Sequence, residues 1–180
     1  VEKMTTTPIE QATQIISQAA SHEERIHGAT FPSLYALIAS RYLHDYCATE
    51  EHLAQVAVKN HKNALLNPNA QFHKEITIDD VLRSGYIAKP LKKLDCSPIS
   101  DGASSILLSS EEMKIESNGT EPIFLTGFGH SVDCIELYNR KSLTQMNSVI
   151  QASKKAFHMA GLSPDSIDIA ELHDCFTIAE

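Results

Sequence analysis

The chain has no Cys-x-x-Cys pair. Cys47, Cys96, Cys134 and Cys175 are widely and irregularly spaced, which argues against a zinc knuckle or a redox dithiol. No apolar run approaches the ~20 residues of a membrane-spanning helix, and there is no internal repeat or low-complexity stretch. Basic excess is also missing: 15 Lys and Arg stand against 23 Asp and Glu, a formal charge of −8. A nucleic-acid binder would need the opposite balance. The nine histidines include His22 and His27, and His52 and His61, but no pair has helical metal-ligand spacing with a carboxylate. No metal is therefore expected. With no targeting peptide visible, free thiols and a cytoplasmic location are expected, or a peroxisome or mitochondrion in a eukaryote.

What is present can fold. At 180 residues and 42% apolar composition, the chain can bury a core as one domain or one plus a subdomain. Ile9 to Ala20 has helical apolar spacing after Thr7-Pro8, and Ser21 to Thr30 reads as loop. Leu34 to Tyr46 is a second helix, and Thr49 caps a third that runs to about Leu66 before Asn67-Pro68-Asn69. Ile78 to Leu82 reads as a helical turn and Tyr86 to Leu94 as extended. Ala103 to Ser109 and Ile123 to Phe128 read as strands, with the turn Ser117-Asn118-Gly119-Thr120 between them. Leu143 to Ala160 is a long amphipathic helix closed by Gly161, and Ile167 to Leu172 is a final strand. Strand, helix, strand from 123 to 172 predicts a βαβ crossover with a parallel strand pair.

That last strand delivers His173-Asp174-Cys175-Phe176 at its carboxyl end, where open α/β sheets collect ligands and catalytic groups. His173 could hydrogen-bond a developing oxyanion or move a proton; equally, it could be a satisfied strand-end histidine. Cys175 reads better as a residue lining the site than as a nucleophile, since buried inert cysteine is common. Gly127-Phe128-Gly129 lacks the third glycine of a dinucleotide loop and reads as a strand bend. Lys59-Asn60-His61-Lys62 is a basic cluster on an acidic chain, either a solvated helix face or a contact for the phosphates of a nucleotide-like cofactor.

Five segments then occur in a familiar order: Val1-Glu2-Lys3-Met4, Lys59-Asn60-His61-Lys62, Asn67-Pro68-Asn69-Ala70-Gln71-Phe72, Cys96-Ser97-Pro98-Ile99-Ser100-Asp101-Gly102-Ala103 and Glu171-Leu172-His173-Asp174-Cys175-Phe176. End to end, the chain resembles the thiolase superfamily, in particular its sterol-carrier-protein-x-like branch and the related archaeal and bacterial acetyl-CoA acetyltransferases. The resemblance implies an α/β thiolase-like fold, layered αβαβα with two mostly parallel sheets. Here that fold would be incomplete, with a mainly helical inserted loop domain. Residues 1–8 would leave the N-terminal half, 9–92 would form the loop domain that covers CoA and supports oligomerisation, 93–117 would hold the last strand of that half, and 121–180 would begin the C-terminal half.

The chemistry implied is thiolysis or Claisen condensation of a 3-oxoacyl-CoA through an acyl-cysteine. A CoA thioester would be the substrate, with no resident cofactor. His173 would help form an oxyanion hole, Asp174 and Cys175 would support it, and Phe176, Lys59 and His61 would contact substrate. Implied partners are acyl-CoA or CoA, a homodimer or homotetramer, and a companion protein that channels acyl-CoA. The sequence holds one of the family's four catalytic boxes, and none of its cysteines sits in a nucleophile context, so these residues alone are expected to be inactive. The alternative is a non-catalytic thiolase-like subunit or acyl-CoA-binding scaffold.

Overall fold

The structure, a computed structural model, describes residues 3–110 and 122–180. Six helices are formed among them: α1 Ile9–Ser17, α2 His22–Ile26, α3 Phe31–Asp45, α4 Glu50–Ala64, α5 Ile78–Leu82 and α6 Asn147–Ala160. Strands β1 Tyr86–Ala88 and β2 Leu91–Lys92 form an antiparallel hairpin, paired Tyr86 with Lys92 and Ala88 with Leu91. Short 3₁₀ turns follow at Lys93–Asp95, Leu137–Asn139, Pro164–Ser166 and Thr177–Ala179.

The helix starts follow from local chemistry. Thr30 and Ser33 exchange side-chain and backbone hydrogen bonds at the head of α3, and Thr77 and Asp80 do the same at α5, satisfying amides that a helix leaves unpaired. Ser21 and Glu24 form a third such box and start α2. The polar composition of 21–30 predicts a loop, but the Ser21-x-x-Glu24 capping box starts a helix there. Glu24 then reaches further: its Oε1 accepts the Leu137 N–H at 2.8 Å, which ties α2 to the 3₁₀ turn 113 residues away. Gly161 closes α6 with φ +66°, a left-handed position that glycine occupies without strain.

Small residues let the helices approach closely. Ala36, Ala39, Leu53 and Leu91 are buried with Phe176 between α3, α4 and the hairpin. Ala54, Ala57, Ile76 and Val81 pack α4 against α5, and Ala20, Leu34, Ile38 and Leu137 close the far side of α3.

The expected βαβ pairing is not formed. Among the described residues the hairpin is the only sheet, and 103–109, 123–128 and 167–172 carry no strand ladder. Their apolar side chains stand open: Ile106 is 83% exposed, Ile123 98% and Ile169 83%. Runs that are apolar on both faces suit strands covered on both sides, and a lone strand pair is marginal in water. The described residues supply neither the cover nor the third strand. The expected turn at 117–120 lies outside the described residues.

Segment 127–130 instead lies directly on α6. A Cβ at Gly127 would run into the Ala156 carbonyl oxygen, and one at Gly129 into that of Ala152. Lys155 Nζ donates to the His130 carbonyl at 2.8 Å. These two glycines are thus set by helix packing, which a bend in a strand would not require. Because the obstacle at Gly129 is backbone, it cannot rotate away, and Gly129→Ala is expected to destabilise by about 1–3 kcal/mol. Gly102→Ala, where a Cβ meets nothing within 4 Å, should stay within about 0.5 kcal/mol. Equal urea midpoints for the two variants would refute the close packing.

Candidate active site

A cleft of about 940 Å³ opens between α4, the 70–72 segment and the 95–100 segment, with His173 to Thr177 along its wall. Its lining is mostly apolar, as expected of a small-molecule site with a few polar groups placed in it.

The His-Asp-Cys-Phe stretch is held by its second half. Phe176 is 5% exposed and packs against Tyr35 and Phe31 at centroid distances of 4.6 and 5.7 Å. Its backbone pairs with Cys96 in an isolated antiparallel bridge, and the Ser97 N–H donates to the Cys175 carbonyl at 3.0 Å. Two of the sequence motifs are therefore fastened to each other. The Thr177 hydroxyl donates to Asp95 Oδ1 at 3.0 Å, and the Lys92 N–H donates to Asp95 Oδ2 at 2.8 Å. Burial raises the Asp95 carboxyl above its ordinary value, against the lowering effect of those bonds. Asp95→Ala would strand two buried donors, an expected loss of about 1–3 kcal/mol. Unfolding of that variant at the parent urea concentration would remove Asp95 as the fastener.

Cys175 lies beside Tyr35 and Cys96. Burial first, and then the Cys175 thiol, push the Tyr35 hydroxyl up to about 12. Burial and the Asp95 charge push the Cys96 thiol up to about 11. A thiol held that high stays protonated at neutral pH and is a poor nucleophile, so Cys96 serves as a packed wall residue.

His173 is exposed and lines the cleft, and Asp174 is half-buried beside it. The Asp174 carboxylate accepts from the Asn60 side-chain amide of α4. His61 also lines the cleft; its ring stacks on Phe72 with the planes 6° apart, and Nδ1 lies 2.9 Å from the Lys74 carbonyl. A carbonyl can only accept, so Nδ1 is the donor in this contact. Lys59 reaches the Glu180 carboxylate and forms an ion pair there. Of the six residues singled out from sequence, His173, Asp174, Cys175, Phe176 and His61 line the cleft, while Lys59 is not part of its lining and pairs with Glu180 instead.

Asn60 was missed as a site residue although it stood inside a motif already noted. The signal was available: Leu53 and Ala57 mark the buried face of α4, and Asn60 lies at the next position along it. A polar side chain on an apolar face needs a partner. Among the described residues no group of three or more His, Cys, Asp or Glu could hold a metal ion. No described helix is long and apolar enough to cross a membrane.

Residues 1–112 match the model of the thiolase N-terminal domain, and residues 129–180 match that of the thiolase C-terminal domain-like family. The chain belongs to the thiolase superfamily. It is 42% identical over 179 residues to an acetyl-CoA acetyltransferase of Methanothermobacter thermautotrophicus, covering 99% of this chain and 46% of that protein. Sterol carrier protein 2 of Rattus norvegicus is 30% identical over 154 residues, covering 83% of this chain and 28% of that protein. A solved structure, the Ltp2-ChsH2(DUF35) aldolase, superposes with a TM-score of 0.69 at 29% identity, over 81% of this chain and 39% of that one. The chain thus spans less than half the length of these proteins, and its thiolase-like fold is incomplete, mixing helices with a small sheet.

Proposed function

We propose that this chain is part of a thiolase-type acyltransferase, an acetyl-CoA C-acyltransferase that cleaves or forms 3-oxoacyl-CoA through an acyl-cysteine. The observation that carries the reading is His173 on the wall of a large, mainly apolar cleft, on a backbone fastened immediately after it. An imidazole N–H there can donate to a thioester oxygen as negative charge develops on it, and fixed donors of this kind stabilise the transition state more than the ground state.

In this reading Asp174 and Cys175 support the box, and Phe176, His61 and Lys59 shape the substrate's surroundings. The division into 1–8, 9–92, 93–117 and 121–180 belongs to the same proposal. The nucleophile and the remaining boxes are contributed by residues other than these 180, so the isolated chain is expected to be silent. The CoA thioester is substrate, and no step calls for a resident metal or cofactor. A homodimer or homotetramer is the assembly proposed. The similar solved aldolase carries two components in its name, Ltp2 and ChsH2(DUF35), which supports looking for a companion protein too.

The test is CoA-dependent loss of acetoacetyl-CoA by the protein that carries this chain, beside saturation binding of the same thioester. Turnover supports the acyltransferase reading. Tight binding without turnover would favour a non-catalytic acyl-CoA-binding subunit, consistent with the sterol carrier protein 2 relationship, and would sink the enzymatic reading.

A further inference from the structure

The segment leading into His173 is unsupported. Residues 167–172 form no ladder among the described residues, and Leu172 is 58% exposed. Fixation begins one residue after His173. The Asp174 carboxylate accepts from Asn60 Nδ2, and the same amide nitrogen lies 3.2 Å from Glu180 Oε2. Lys59, its neighbour on α4, pairs with Glu180 Oε1, and the Glu180 side chain is only 19% exposed. One turn of α4 therefore grips the box on both sides of the Thr177–Ala179 turn. Opposite it, the Ser97 N–H and Asp95 hold Cys175 and Thr177.

Asn60 is suited to this. α4 is a 15-residue helix whose inner face is buried through Leu53, Ala54 and Ala57, so its amide is presented from a rigid support. An amide offers two donors and no charge. It can bind the Asp174 carboxylate without adding a charge to the cleft wall.

From this we infer that Asn60 is a positioning residue for His173, acting through the Asp174 carboxylate. The inference deepens the acyltransferase reading and rests on it for its kinetic consequence. Its structural consequence is independent of that reading. Removing the amide frees the Asp174 side chain, and His173 loses the anchor that directs it into the cleft.

The experiment compares Asn60→Leu, which keeps the branching at Cγ and removes the donor, with Asn60→Gln, which keeps the donor on a longer stem. Each is made in the protein that carries this chain. Two quantities are read: the His173 imidazole resonances by NMR, assigned with His173→Gln, and the kinetics of acetoacetyl-CoA thiolysis. In Asn60→Leu the His173 resonances are expected to move. A misplacement of about 1 Å can cost about 10²-fold, so kcat should fall by roughly 10- to 10²-fold, while KM changes less than about threefold because binding is shared by the rest of the cleft. Asn60→Gln should recover part of both.

His173 resonances that stay in place in a folded Asn60→Leu overturn the inference, whatever the assay gives. Resonances that move in a protein whose parent shows no thiolysis leave the positioning intact and defeat the acyltransferase reading instead. Should Asn60→Leu fail to fold, Asn60→Ser carries the same comparison, because it draws the donor out of reach without adding apolar surface.

Discussion

Glu50→Ala is expected to destabilise the protein by about 3 kcal/mol, among the largest stability effects of any single substitution in the described residues. Lys92 sits on β2 with only 4% of its side chain exposed, and its ammonium pairs with Glu50 at the head of α4. The Tyr86 hydroxyl donates to both Glu50 oxygens at 2.9 and 3.1 Å, and the Lys92 ammonium lies 4.6 Å from the Tyr86 ring centroid. Removing one partner of a buried pair leaves an uncompensated charge, with a typical cost of 3–5 kcal/mol. The lower end applies because Glu50 keeps 27% of its side-chain exposure.

The same physics predicts a contrast. Replacing both partners, Glu50→Leu with Lys92→Met, removes the stranded charge and should cost clearly less than Glu50→Ala. Urea midpoints of the three proteins decide it. A double variant as unstable as the single one would mean that the charge is not what matters there.

Acid gives a second check on this pair. Burial would raise the Glu50 carboxyl, but the Lys92 and Tyr86 hydrogen bonds outweigh it and hold it below its ordinary value of 4.5. A carboxyl lowered by folding contributes stability that is present above its unfolded value and is lost as pH falls through the folded one. The Lys92–Glu50 contribution is therefore expected to persist at neutral pH and to fade below about pH 4.5. Asp95 acts with the opposite sign. Burial raises it, so its ionisation weakens the fold as pH rises, and acid relieves that cost while it removes the other. An acid unfolding profile that is unchanged by Glu50→Ala would contradict the assignment.

His173→Ala should lower kcat for acetoacetyl-CoA thiolysis by ~10²–10³, the typical cost of one oxyanion-hole donor. The imidazole is exposed on the cleft wall and carries none of the buried packing that Phe176 supplies one helical turn's length of sequence later. Far-UV CD and the urea midpoint should therefore be close to those of the parent, and the loss should fall on kcat more than on KM. Phe176→Ala gives the reverse pattern. Removing a ring packed against Phe31 and Tyr35 costs about 3–5 kcal/mol and lowers stability before it changes the rate per folded molecule. A His173→Ala protein with normal kcat would remove His173 from the chemistry and leave the thiolase membership untouched.

Much of this molecule was set by local sequence. Proline after Thr7, the Thr49 cap, and Gly161 after an amphipathic run place α1, α4 and α6 within a few residues, because capping and periodicity act over single turns. Ser21-Glu24 carries the same kind of signal for α2, within a stretch whose polar composition otherwise predicts loop. The ordered motifs also identified the superfamily, and they placed His173, Asp174, Cys175 and Phe176 together by simple adjacency.

Tertiary structure decided the rest. That Gly127 and Gly129 answer to the backbone of α6, and not to a phosphate or a bend, depends on which helix lies against them. That Lys59 turns to Glu180 while Asn60 takes Asp174 depends on bringing together residues 114 or more positions apart. The strands read at 103–109, 123–128 and 167–172 show the same division. Apolar patterning states that a segment should be covered, but a ladder requires neighbouring strands, and the described residues pair only the hairpin. Periodicity and capping are properties of consecutive residues, so sequence alone determined five of the six helices, the family and the adjacency of the His-Asp-Cys-Phe residues. Partner choice is a property of residues distant in sequence, so only the folded chain decided what holds that box in place.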